Sequence, residues 1–158
     1  GGYMTINMCI QYPDFFAAAF TASEAHLDSK ISSTQINKLA DLPMWFIYAK
    51  NDMTMKPATH AIPTIDRLKK AGAGNIHVSI FDDVHDTSGL YMTADNDDEE
   101  EDDDIKNNSS SVPYQYDGHL SWIYLFNDEC YENGVSLFSW LSQQKRTPSG
   151  DPAPVNKQ

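Results

Sequence analysis

The sequence has few cysteines, few basic residues and no long apolar run, and each shortage excludes a class of protein. Its two cysteines, Cys9 and Cys130, form no Cys-x-x-Cys pair, which excludes a zinc knuckle and favours two separate thiols over a disulfide. Its 11 basic residues against 23 acidic ones form no basic stripe, so no nucleic-acid partner is expected. No apolar run approaches the roughly 20 residues of a membrane-spanning helix, so no membrane partner is expected.

The net charge of −12 comes largely from one acidic tract. Residues 95–104 contain nine of the 23 acidic residues. Carboxylates suit calcium, but the tract lacks the EF-hand spacing and its turn glycine, which favours a solvated loop over a metal site. We therefore expect residues 94–112 to be a disordered acidic insertion, and we predict neither a metal nor a cofactor.

The rest of the chain alternates between helix and strand patterns. Helices are predicted at residues 2–12, 34–40, 63–71, 119–126 and 134–142, and strands at residues 15–20, 44–49 and 76–81. This order indicates an α/β fold with a doubly wound, mainly parallel sheet. Three strands are few for such a sheet, so we expect the sheet to be incomplete within this sequence. Residues 82–117 are predicted to be a long loop and residues 146–158 a flexible tail.

Two polar residues follow predicted strands and point to a site at one edge of the sheet. The strand at 44–49 is an unbroken apolar run, typical of a strand buried on both faces, and Asp52 follows it closely. His119 comes after the strand at 76–81, just before a helix. Sites in open parallel sheets gather at the carboxyl ends of strands, so we expect Asp52 and His119 to lie together. His85 is the rival, because it follows its strand more closely and has carboxylate neighbours.

Four segments of the chain carry a family resemblance. They are Gly1-Gly2-Tyr3-Met4-Thr5, Tyr12-Pro13-Asp14-Phe15-Phe16-Ala17-Ala18, Leu42-Pro43-Met44-Trp45-Phe46 leading to Lys50-Asn51-Asp52, and Gly118-His119-Leu120-Ser121-Trp122. Over about residues 1–143 the chain resembles the C-terminal half of an α/β-hydrolase-fold serine esterase of the polyhydroxybutyrate-depolymerase-like or prolyl-oligopeptidase-like kind. The resemblance implies that residues 1–145 are the C-terminal portion of such a domain, with its N-terminal half outside this sequence.

The resemblance also implies a role for each candidate residue. In this family the nucleophilic serine occupies a Gly-x-Ser-x-Gly turn, so Gly1 and Gly2 would be the remnant of that turn and the serine would precede Gly1 by two residues. His119 would be the general base and Asp52 the carboxylate that orients it. Met53 and Trp122 are candidates for lining the substrate pocket, with packing in the core as the alternative for both. The chain departs from the family in lacking the serine and in a longer separation between Asp52 and His119. The acidic insertion at 94–112 would account for much of the extra length.

The implied reaction is hydrolysis of a carboxylic ester, small or polymeric, through an acyl-serine intermediate. The isolated chain is expected to be inactive, because it lacks the nucleophile and part of the oxyanion hole. Two alternatives stay open. A peptidase of the prolyl-oligopeptidase type would use the same triad, whereas a non-catalytic domain would bind a basic partner or divalent cations through the acidic tract.

Overall fold

The computed structural model describes residues 1–94 and 111–146, which form five helices and nine strands. The helices are α1 (Gly2–Gln11), α2 (Ser33–Leu39), α3 (Ala61–Lys70), α4 (Trp122–Phe126) and α5 (Leu137–Gln143). The strands are β1 (Ala19–Ala22), β2 (Met44–Ala49), β3 (Ile76–Phe81), β4 (Val84–His85), β5 (Met92–Ala94), β6 (Ser111–Pro113), β7 (Gln115–Tyr116), β8 (Tyr131–Glu132) and β9 (Val135–Ser136). Single 3-10 turns lie at Asp28–Lys30, Pro57–Thr59 and Gly118–Leu120.

β1, β2 and β3 form a parallel sheet in that order. In the central strand, Met44 lies opposite Ala19 of β1 and Ile76 of β3. All six residues of β2 are buried, because the strand has a neighbour on each side and helices over each face. The strands predicted at 44–49 and 76–81 are therefore confirmed.

Side chains of β2 alternate between two apolar clusters, one on each face of the sheet. Its even-numbered residues enter the first cluster, to which α1, α2 and α3 contribute. Its odd-numbered residues enter the second cluster, to which α4 and α5 contribute. Since burying one large apolar side chain stabilises a fold by about 1.5–3 kcal/mol, this strand holds the two helix layers together.

The two cysteines do not form a disulfide, because they lie in different apolar clusters on opposite faces of the sheet. Cys9 lies in the first cluster and Cys130 in the second, and both thiols are free. Burial raises the pKa of Cys9 to about 11 and that of Cys130 to about 12, so both stay protonated and unreactive at neutral pH. The prediction of two separate thiols is confirmed.

Several predicted segments differ from the structure. The helix predicted at 134–142 begins at Leu137, after Val135–Ser136 of β9, and the helix predicted at 119–126 begins at Trp122. The strand predicted at 15–20 is wrong, because β1 begins at Ala19 and Phe15 is 69% exposed in the preceding turn. The apolar run at 15–20 indicates burial, but only its last two residues, Ala19 and Phe20, pair with β2. The loop predicted at 82–117 contains four short strands, which pair as β4 with β7 and β5 with β6. Strands of two or three residues are too short to leave a periodic pattern.

Two paired strands, β5 and β6, flank the predicted acidic insertion in the sequence. β5 pairs with β6 so that Ala94 lies opposite Ser111, which makes the two ends of the intervening segment neighbours. The disorder predicted for residues 94–112 mainly concerns residues outside the described ranges, and so does the tail predicted at 146–158. Among the helices of the described ranges, none has the length and hydropathy needed to cross a membrane.

Candidate active site

Asp52 lies buried just beyond the carboxyl end of β2, and its two carboxylate oxygens have different partners. Oδ1 accepts the backbone N–H groups of Thr54 at 2.9 Å and Met55 at 2.7 Å. These bonds fix the carboxylate and turn Oδ2 toward the neighbouring loop. Because the side chain is fully shielded from water, that loop must supply the partner of Oδ2.

The partner is His119, in the 3-10 turn that leads into α4. Its Nδ1 lies 3.0 Å from Oδ2 of Asp52, and Asp117 caps the turn by accepting the His119 N–H at 2.7 Å. A carboxylate accepts, so Nδ1 donates and Nε2 is the nitrogen left with a free lone pair. Nε2 has no hydrogen-bond partner among residues 1–94 and 111–146, and 27% of the side chain is exposed. The ring can therefore accept a proton from a group outside the pair.

Gly118 allows the two loops to touch. A Cβ atom at this position would lie 2.7 Å from both the carbonyl carbon of Asn51 and the backbone nitrogen of Asp52, closer than real contacts allow. Only a glycine fits between the loop that carries the acid and the turn that carries the base. The sequence gives no sign of this role, because it depends on a contact between distant segments.

The two glycines at the start of the chain differ in their surroundings. A Cβ atom on Gly2 would lie 2.7 Å from the Ala22 carbonyl oxygen and 2.8 Å from that of Ser23, so Gly2 lets α1 begin close against the end of β1. Gly1 has open space around the same position. Of the two glycines, only Gly2 is needed for the close packing of α1 against β1. That the pair is the remnant of a Gly-x-Ser-x-Gly turn stays a prediction.

A cavity of about 370 Å³ joins His119 to the start of α1. Its walls are mostly apolar and are formed by Gly1, Gly2, Tyr3, Thr5, Phe20, Ala22, Ser23, Ala25, His119, Trp122, Leu125 and Phe126. Trp122 contributes to this wall and also meets the His119 ring edge-on, with 5.4 Å between centroids. Met53, the other residue expected in a pocket, is 70% exposed and is not part of this wall.

The rival histidine, His85, belongs to a different set of contacts. Its Nδ1 lies 2.7 Å from Oδ1 of Asp83 and 3.2 Å from the hydroxyl of Tyr124. Its backbone N–H donates to the same hydroxyl at 3.0 Å. Within the described part of the chain, no hydrogen bond connects His85 with Asp52. The structure thus brings together Asp52 and His119 and leaves His85 with its own carboxylate.

Ser23 contacts the candidate base and lines the same cavity, and the sequence gives no sign of it. It follows β1, is 3% exposed, and donates from Oγ to the backbone oxygen of His119 at 2.6 Å. No motif marks it, and its partner lies 96 residues away in sequence. As for metal ligands, residues 1–94 and 111–146 include no group of three His, Cys, Asp or Glu side chains placed to hold an ion.

Comparison with known proteins identifies the fold. No protein-family model matches the sequence, and no curated protein matches it either. The structure is similar to the crystal structure of a thermostable esterase, with a TM-score of 0.59 and 18% sequence identity. The match covers 91% of this chain but 28% of the esterase chain, so the chain spans less than a third of that protein. The chain therefore has an esterase-like α/β fold, of which the described part is a three-stranded parallel sheet with helices on both faces.

Proposed function

We propose that the chain supplies the acid and the base of a Ser-Asp-His triad in a serine hydrolase that cleaves carboxylic esters. The observation that carries this proposal is the 3.0 Å contact between Nδ1 of His119 and the buried Oδ2 of Asp52. The esterase-like fold supports ester hydrolysis. The thermostable esterase that carries this similarity is a longer protein, and the match covers 28% of it.

His119 acts as the general base in this reaction. Its Nε2 takes the proton of a serine hydroxyl as the serine oxygen attacks the ester carbonyl, and it later returns that proton to the departing alkoxide. Water then attacks the acyl-serine with His119 again as base, releasing the carboxylic acid and restoring the serine. Asp52 holds the ring in the Nδ1–H tautomer and stabilises the imidazolium that forms in each step.

The proposal assigns the nucleophile to a serine outside these 158 residues. The start of α1 supports this assignment, because Gly1, Gly2 and His119 line the same cavity. Two residues of chain span at most about 7 Å, so a serine two positions before Gly1 would stay beside this cavity. Gly2 supports it too, since its close approach to the end of β1 is what a sharp turn into a helix requires.

Active-site labelling tests the proposal in a polypeptide extended upstream of Gly1. We expect a fluorophosphonate probe to label one serine before Gly1, and p-nitrophenyl ester hydrolysis to depend on the same serine. Asp52→Asn and His119→Ala should each lower kcat by about 10⁴-fold, the usual loss when the general base or its orienting carboxylate is removed.

His85→Ala is the matched control, because it removes a histidine that also contacts a carboxylate. This variant should keep its activity. Activity lost in His85→Ala and kept in His119→Ala would assign the base to His85 and contradict the proposal. Comparing an ester with a proline-containing peptide amide in the same assay separates the esterase from the peptidase alternative.

A further inference from the structure

Ser23 has a strained backbone at a buried position next to the candidate base. Its φ angle is 46°, in the left-handed region that favours glycine, and the residue is 3% exposed. Non-glycine residues in this region occur mainly where surrounding contacts hold them, often at functional sites. Glycine would adopt this φ angle without strain, so the serine side chain must provide a contact that glycine lacks.

The hydroxyl of Ser23 holds the turn that carries His119 at two points. Oγ lies 2.6 Å from the His119 backbone oxygen and 2.8 Å from Oγ of Ser121, which is itself fully buried. A carbonyl oxygen only accepts, so the one hydroxyl proton of Ser23 goes to His119. Ser121 then donates to Ser23. The two bonds reach both sides of Leu120 and fix the turn against the end of β1.

The backbone of Ser23 connects this turn to the strand that positions Asp52. The Ser23 N–H donates to the Ile47 oxygen of β2 at 2.9 Å, and Asp52 follows the same strand. Hence β2 positions the acid directly and the base through Ser23. Any movement of Ser23 would shift the His119 backbone relative to the carboxylate that its ring contacts.

We propose that Ser23 is a positioning residue for His119. Its hydroxyl fixes the His119 carbonyl so that Nδ1 stays on Asp52 while Nε2 faces the cavity. The positioning role stands on the geometry alone, whereas its effect on catalysis rests on the proposed hydrolase function. The strained φ angle persists because it brings the hydroxyl within reach of the His119 oxygen.

Two substitutions separate the hydroxyl from the backbone strain. Ser23→Gly removes the hydroxyl and relieves the positive φ angle, whereas Ser23→Ala removes the hydroxyl and keeps the strain. Ser142→Ala is the matched control, because it removes another serine hydroxyl that donates to a backbone oxygen, that of Ser139 at 2.8 Å, at an exposed position of α5. If Ser23→Ala does not fold, Ser23→Gly still tests the hydroxyl, since it fits the backbone better than serine.

The first readout is the NMR signal of the Nδ1 proton of His119 in the 158-residue chain, identified by its disappearance in His119→Ala. A proton held between an imidazole and a buried carboxylate exchanges slowly and resonates far downfield. We expect this signal to broaden or vanish in both Ser23 variants and to persist in Ser142→Ala. An unchanged signal in a folded Ser23→Gly protein overturns the positioning role.

The second readout is kinetic and uses the active form of the protein that contains the nucleophile. We expect Ser23→Gly to lower kcat by about 10- to 100-fold with KM unchanged, as displacement of a catalytic group does. A lost NMR signal in a polypeptide that carries the upstream region but hydrolyses no ester would support the positioning role and contradict the hydrolase proposal. A kept signal with normal kcat would contradict the positioning role and leave the hydrolase proposal intact.

Discussion

Glu24, next to Ser23, is a single residue whose burial should make the fold sensitive to pH. It is 2% exposed, and its Oε1 accepts the His26 N–H at 2.5 Å, while Oε2 has no hydrogen-bond partner within residues 1–94 and 111–146. Burial raises the pKa of Glu24 from 4.5 to about 8, although the hydrogen bond from the His26 N–H lowers this pKa, and the nearby Asp28 raises it further. The folded protein therefore keeps Glu24 neutral at neutral pH.

The sign of the resulting pH dependence follows from the direction of this pKa shift. Above pH 4.5 the unfolded chain loses the Glu24 proton while the folded protein keeps it, so stability falls as pH rises toward about 8. Glu24→Gln should remove this loss. We expect the variant to match the parent protein near pH 4 and to exceed its free energy of unfolding by several kcal/mol at pH 8, since each pKa unit corresponds to about 1.4 kcal/mol.

Urea unfolding of both proteins between pH 4 and 9 measures this difference. Asp41→Asn serves as the control, because it makes the same carboxyl-to-amide replacement at an exposed position. A constant difference between Glu24→Gln and the parent protein across this range would show that Glu24 ionises as freely in the folded protein as in the unfolded chain.

At the same scale, the sequence predicts some residues of the candidate site and misses others for a physical reason. Asp52 and His119 follow predicted strands, and strand ends in a parallel sheet share one edge. Ser23 and Gly118 act through contacts with segments far away in the chain, and nothing in their own neighbourhood marks them. Met53 shows the opposite case, since its place beside Asp52 in sequence does not direct its side chain into the cavity.

At the scale of elements, strand length decides what the sequence predicts. β2 is an unbroken apolar run with neighbours on both sides, and its bounds are predicted correctly. β1 has four residues and overlaps only the end of the apolar stretch at 15–20, so the pattern shows burial without showing where pairing begins. The two-residue strands β4 and β7 exist because they pair with each other, which a local pattern cannot report.

The contact between the Asp52 loop and the His119 turn is the element-scale feature most open to test. Gly118→Ala would place a Cβ atom 2.7 Å from backbone atoms of Asn51 and Asp52, and backbone cannot move aside as a flexible side chain does. We expect the variant to lose about 1–3 kcal/mol of stability through overpacking and to weaken the contact between His119 and Asp52.

Thermal unfolding and the NMR signal of the His119 Nδ1 proton measure these two effects. Gly74→Ala is the matched control, because a Cβ atom there would meet nothing within 4 Å. Equal stability of the two variants, with the proton signal intact in both, would show that the loops separate without cost and that Gly118 is not required for the contact.

At the scale of the whole molecule, the edge of the sheet at β1 presents an apolar surface through which two copies of the chain could associate. Within the described ranges β1 pairs on one side with β2 and its other edge has no strand beside it. A groove of about 600 Å³ runs along this edge, lined by Gly1, Met4, Thr5, Met8, Cys9, Phe16, Ala18, Ala19, Phe20 and Leu141. An open strand edge beside apolar side chains is a common site of self-association.

We therefore expect the 158-residue chain alone to self-associate, and to do so more strongly as salt screens its net charge of −12. Met4→Lys and Met8→Lys place charges in the groove on helical positions that tolerate lysine, and they should raise the monomer fraction in sedimentation velocity. Leu90→Lys is the matched control, because Leu90 is 78% exposed and lies outside the groove. A monomeric parent chain at high salt, or an equal response to all three substitutions, would show that association does not proceed through the β1 edge.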